Sequence, residues 1–107
     1  MAMSEELDGK EMYLKRHEQG AERLIAVCDC EILGKRFAEG QLRIEVSPDF
    51  FGGKVASCAE VEKALVSATM ANFVGSKAVL HAISLGYVEK DNVLSIDGIP
   101  YAQMVRM

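Results

Sequence analysis

Hydrophobic and polar positions alternate most cleanly over residues 41–47, where Leu42, Ile44 and Val46 fall on one side and Arg43 and Glu45 on the other. A period of two with one apolar face predicts a half-exposed strand. Met12-Tyr13-Leu14-Lys15-Arg16 alternates in the same way with Met12 and Leu14 inward, and His17-Glu18-Gln19-Gly20 reads as the turn that follows it. Between these two, residues 24–28 are continuously apolar from Leu24 to Cys28, which predicts a strand covered on both faces. Pro48-Asp49 ends the third strand, and Phe50-Phe51-Gly52-Gly53 reads as an aromatic-anchored turn.

The period then changes. Ser57-Cys58-Ala59-Glu60 has the form of a capping box, in which a serine hydroxyl and a glutamate carboxylate satisfy each other's orphan amides. Val61, Ala64, Leu65 and Ala68 follow at helical spacing. After a break over 69–75, a second and largely apolar helix is expected from about Phe73 to Leu85, stopped by Gly86. Residues 93–96 and 99–105 flank Asp97-Gly98, a pair suited to the positive φ angles of a type I′ hairpin turn, and Pro100 moves the last strand toward a sheet edge.

The expected order is therefore βββ-αα-ββ: a single α+β domain with a small, mostly antiparallel sheet of about five strands packed with two helices. Residues 1–11 read as a flexible N-terminal arm and residues 12–107 as the domain. The turns that shape it are assigned to Asp29, Gly34, Gly40, Gly52, Gly53, Gly86, Gly98 and Pro100.

Composition narrows the function more than it defines it. The chain of 107 residues is half apolar and carries a formal net charge of −4, which opposes general binding to polyanions. It has no apolar run near the ~20 residues a spanning helix needs and no apolar leader at its N-terminus, so no membrane partner is expected. Three cysteines, an odd number, fit a reducing cytoplasm better than a disulfide framework.

The densest chemistry lies in CDCEILGKRFAEG, residues 28–40. One Cys-x-Cys with a distant Cys58 falls short of the four ligands of a structural zinc site, so the cysteines are read as core residues, with no metal and no cofactor. Gly34-Lys35-Arg36 lacks the first glycine and the Ser/Thr of a phosphate-binding loop. It is read as the end of a helical turn over 30–33 capped by Asp29, with Lys35 and Arg36 outside and Phe37 inside. The Asn72-to-Gly75 turn before Lys77 offers helix amides that favour an anion. His17 and His81 default to solvated positions, and no nucleophile and base can be assembled; an enzyme is not the expected reading.

Seven short motifs in order carry a resemblance: Met12-Tyr13-Leu14-Lys15; Leu24 to Asp29; Ile32-Leu33-Gly34-Lys35 with Phe37, Glu39 and Gly40; Leu42, Ile44 and Val46; Phe50 to Gly53; Ala71 to Gly75; and Gly98 to Gln103. Together they resemble the archaeal family designated domain of unknown function 424 (DUF424), over residues 12–105. In that family the last motif more often reads Gly-Val-Pro-His-Ala-Gln. Tyr101 stands at the histidine position here, which speaks against a shared histidine chemistry. The resemblance implies a small archaeal protein linked to translation.

Three functional expectations follow. The first is a non-enzymatic module binding RNA or a translation-related complex through Lys35, Arg36, Asn72, Gly75, Lys77 and Gln103. The second is a small enzyme or ligand-binding protein with a pocket near Asp29, Cys30, Lys35 and Glu39. The third is a protein-interaction or homodimer module using its C-terminal strand as an open edge.

Overall fold

The computed structural model describes residues 11–106; of the arm expected over 1–11, only Glu11 falls within them. Strands β1 (Met12–Gln19) and β2 (Glu22–Asp29) form an antiparallel hairpin. A 3-10 turn (Cys30–Ile32) leads into a second hairpin, β3 (Arg36–Glu39) and β4 (Leu42–Glu45). A short helix α1 (Pro48–Phe51) and strand β5 (Lys54–Ala56) precede helix α2 (Cys58–Leu65). Then come β6 (Met70–Val74), helix α3 (Ser76–Ser84), a 3-10 turn (Lys90–Asn92), β7 (Leu94–Ile96) and β8 (Ile99–Val105).

Six strands form one sheet in the order β5-β1-β2-β6-β8-β7, and β3 and β4 form a separate two-stranded sheet. All pairings are antiparallel except β2 with β6. The α+β class and mostly antiparallel character match the sequence reading. The element order does not: β6 separates the two main helices where a single break was expected, and β3 and β5 are two further strands. Helix α1 takes the place of part of the expected 50–53 turn, and eight strands among the described residues replace the expected five.

Strand alternation divides the core into two. On one face Met12, Leu14, Ile25, Val27, Ala71, Phe73, Ala102 and Met104 pack beneath Val61, Ala64 and Leu65 of α2 and Ala78, Val79 and Ala82 of α3. On the other, Ala26, Cys28 and Val74 are covered by Ile32, Val46 and Phe51. The sheet is thus a middle layer between two helices and the β3–β4 hairpin with α1. The continuous apolar run of β2 follows directly, since both of its faces are covered.

Several local readings change. His17, Glu18 and Gln19 continue β1 rather than turning, because Leu24, Arg23 and Glu22 pair with them in register. The strand expected over 41–47 is shorter and pairs with β3 above the main sheet, so Leu42 is 47% exposed while Val46 is buried. The second helix starts at Ser76, not Phe73, because Phe73 and Val74 extend β6 beside Val27 and Cys28. The Ser57 capping box is present with both reciprocal bonds. Gly86 (φ +84°) ends α3, with its N–H on Ile83 O and that of Tyr87 on Ala82 O, a pairing that satisfies the last free carbonyls.

Pro100 does not put β8 on the edge; β7 is the edge strand and β8 lies inside it. The proline is tolerated because its missing N–H faces the β6 side one position beyond the last pair, Val74 with Tyr101, while its carbonyl accepts the Gly75 N–H at 2.9 Å.

Candidate functional site

Asp29 was expected to cap the 30–33 turn, and it makes no side-chain bond there. Its odd position on β2 turns the side chain to the helix face. There its carboxylate accepts the Lys77 N–H at 3.0 Å and the Ala78 N–H at 2.9 Å, capping α3 from 48 residues upstream. The residue is 3% exposed. Burial pushes its pKa up, and the two amide bonds oppose that shift. Gly75 (φ +107°) lets the two elements meet, since a Cβ there would lie 2.4 Å from Asp29 Cγ.

The anion-binding reading of the Asn72–Gly75 turn is therefore corrected: these helix amides already hold the protein's own carboxylate. Lys77 pairs with Glu31 at 3.3 Å, and Arg36 with Glu45 at 3.6 Å across the hairpin. Lys35 is exposed at the hairpin's base. The expected cations thus lie on two separate elements and two of the three have acidic partners.

The pocket expected at Asp29, Cys30, Lys35 and Glu39 is also corrected. Asp29 faces α3, Lys35 faces solvent, and Glu39 at the hairpin tip accepts the Asp97 N–H at 2.6 Å. Of the cysteines, Cys28 is a core residue, Cys30 half-buried and Cys58 exposed, so core packing describes only the first. Burial, with the charges of Asp29 and Cys30 adding to it, pushes the Cys28 thiol up to about 12. Among the described residues no group of three His, Cys, Asp or Glu side chains could hold a metal ion. Nor is His17 simply solvated: its Nε2 lies 2.8 Å from Phe50 O and its ring stacks on Phe50 at 4.7 Å. His81 Nε2 lies 3.1 Å from Cys58 O.

The structure instead gathers two of the predicted residues on the hairpin side of the sheet. Asn72 on β6 and Gln103 on β8 are register partners. Gln103 Nε2 donates to Asn72 Oδ1 at 2.9 Å, and Tyr101 Oη donates to the same oxygen at 3.4 Å. Burial raises the Tyr101 pKa, so its phenol stays neutral. Internal bonding uses the Asn72 oxygen and leaves its NH2 group, together with Gln103 Oε1, as a donor and an acceptor for an outside ligand.

These side chains line a cleft of about 370 Å³ with Leu42, Arg43, Ile44, Phe50, Leu94 and Ile96 among its walls. Arg43 has no hydrogen-bond or ion-pair partner among the described residues. Phe50 is shared with a neighbouring cleft of about 520 Å³ whose walls include His17, Glu22, Leu24 and Met70. Two central strands, β2 and β6, therefore keep part of one face uncovered. Glu39 and Asp97 tie the hairpin tip to the β7–β8 turn, so the hairpin roofs the cleft from a fixed position.

Sequence reasoning missed Arg43, Phe50 and Leu94 as cleft residues. Arg43 carried one signal, its place on the wet side of an alternating strand, and any surface arginine shares it.

These features define a small α+β module: a sheet with helices on one face and a hairpin that only partly closes the other. The chain belongs to the DUF424 family of proteins of unknown function, whose sequence pattern matches residues 17–107. It is similar in structure to an uncharacterised conserved protein from Methanopyrus kandleri, with a TM-score of 0.75 and 20% identity over 91% of this chain and 94% of the other; that likeness concerns the fold. No relative is found among curated proteins. No helix among the described residues is long and apolar enough to cross a membrane.

Proposed function

We propose that the chain is a non-enzymatic binding module, that its working surface is the cleft beneath the β3–β4 hairpin, and that its partner is a translation-related complex. One observation carries the proposal. Asn72, Tyr101 and Gln103 converge in a cleft over central strands whose walls are largely apolar and also include Arg43 and Glu45 of β4. Apolar walls with a few convergent polar groups are the usual make-up of a recognition site. The groups in the cleft bind and orient; none forms a nucleophile–base pair.

Of the two partner classes expected from the sequence, RNA and a translation-related complex, the mixed lining favours the second. A groove for RNA alone draws its affinity from clustered cations, whereas Lys77 and Arg36 are engaged with Glu31 and Glu45. The test is co-sedimentation with archaeal ribosomal particles at low salt, comparing the wild-type chain with Asn72→Ala/Gln103→Ala and Arg43→Ala. The expected result is binding that weakens about tenfold in the variants with unchanged circular dichroism. No binding, or equal binding by all three, overturns the proposal.

A further inference from the structure

Backbone polarity along β8 alternates, and half of it lacks a neighbour. Pro100 O accepts from Gly75 N, and Arg106 N donates to Thr69 O. Even-numbered residues of β8 therefore turn their N–H and C=O groups toward β6, and odd-numbered residues turn theirs toward β7. Strand β7 pairs only with residues 99–101 and leaves the sheet at Leu94, where the chain comes out of a 3-10 turn. Beyond that point the outward backbone groups of Gln103 and Val105 have no strand beside them among the described residues.

We propose that this open half of β8 receives an extended segment of a protein partner as an added strand, continuing the line of β7. The inference rests on reading the cleft as the binding surface, and it names the kind of ligand. An open strand edge offers alternating donors and acceptors that a peptide backbone matches and a nucleic acid does not. The edge is also continuous with the cleft, because Leu94 and Gln103 belong to both.

Register says what the segment should carry. Cross-strand rows on the hairpin side run Leu24–Met70–Val105 and Ala26–Asn72–Gln103. A residue laid beside Val105, which is 63% exposed, extends an apolar row; one laid beside Gln103 meets its free carbonyl oxygen. Leu42 and Leu94, 47% and 49% exposed, present further apolar surface at the cleft. Arg43 is the cleft's unpaired charge, since Glu45 faces Arg36. The geometry therefore points to an extended segment that carries an apolar residue and a hydrogen-bonding or acidic one two positions apart, both on its hairpin-side face.

The discriminating substitution is Val105→Pro, which deletes an outward N–H that the fold does not use. The probe is a phage-displayed library of random heptapeptides panned on the full chain, and the selected peptides are then titrated into 15N-labelled protein. The expected peptides carry an apolar residue and a hydrogen-bonding or acidic one two positions apart, and the Gln103 and Val105 amides shift on binding. In the free protein these two amides exchange quickly while those of Ala102 and Met104 are protected; bound peptide slows the first pair about tenfold or more. Val105→Pro should weaken binding about tenfold without changing the far-ultraviolet spectrum. Should that variant misfold, the wild-type exchange pattern alone decides.

If the peptides bind through Asn72 and Gln103 but tolerate Val105→Pro, with unchanged exchange at 103 and 105, the cleft reading survives and the added strand is refuted. Failure to select any peptide, or selective binding of single-stranded RNA, overturns the inference. Loss of every effect in both the cleft and the edge variants overturns the two readings together.

Discussion

Gly75→Ala should be among the most damaging single-methyl additions this chain can suffer. Gly75 has φ +107° and ψ 158°, a region essentially reserved for glycine, where a side chain costs ~1–3 kcal/mol. The new methyl would also stand 2.4 Å from Asp29 Cγ and 2.6 and 2.7 Å from the two carboxylate oxygens. The carboxylate has to retreat, and its retreat breaks the bonds to the Lys77 and Ala78 amides. Leaving a buried amide unpaired costs ~1–3 kcal/mol. The sum is ~2–6 kcal/mol, a large fraction of the whole stability of many small domains, ~5–15 kcal/mol.

A double-mutant cycle separates the two contributions by urea unfolding followed by circular dichroism. Asp29→Ala removes the obstructing carboxylate, so Gly75→Ala in that background should cost only the backbone contribution. The expected coupling is ~2 kcal/mol or more. Costs that add to within ~0.5 kcal/mol would mean that the two residues do not obstruct each other, and the account of the α3 cap would be wrong.

Asp29→Asn tests the electrostatics of the same contact. Because the folded-state pKa of Asp29 is raised by burial, its contribution is fully present below the unfolded pKa and declines as pH rises through the folded one. The stability gap between wild type and Asp29→Asn should thus narrow from acidic to neutral pH in paired urea melts; a gap that widens contradicts the shift. Phe51→Ala empties the packing under the hairpin, with an expected cost of ~3–5 kcal/mol in the same melts. In thiol labelling at neutral pH, Cys58 should react first and Cys28 only on unfolding; rapid labelling of Cys28 in the folded protein would contradict its burial.

The parts of the fold legible in the sequence are those whose period matches their burial. The β1 and β2 core positions, the α2 capping box, the Gly86 stop and the Asp97-Gly98 turn all follow from local pattern. Strand β6 was hidden because its apolar residues run into those of α3, so that Val74, Ala78 and Ala82 follow one another at helical spacing. Strand β3 offers one half-buried apolar residue large enough to mark a face, Phe37. For the site, Asn72 and Gln103 are both candidate contacts in the sequence, Asn72 as part of a turn before a helix and Gln103 in the last strand. Their pairing required the β6–β8 register, and the role of Asp29 required a contact across 48 residues that no local spacing encodes.

That contact has a consequence for the order in which the molecule is made. A chain emerging from its N-terminus presents the carboxylate of Asp29 well before it presents the helix that the carboxylate completes. Helix α3 (Ser76–Ser84), too short to persist alone, gains its first-turn acceptors only once β2 is in place. Helix and sheet therefore assemble, and come apart, as one cooperative unit, and the amides of Lys77 and Ala78 should report in hydrogen exchange on the opening of the sheet rather than on fraying of the helix end.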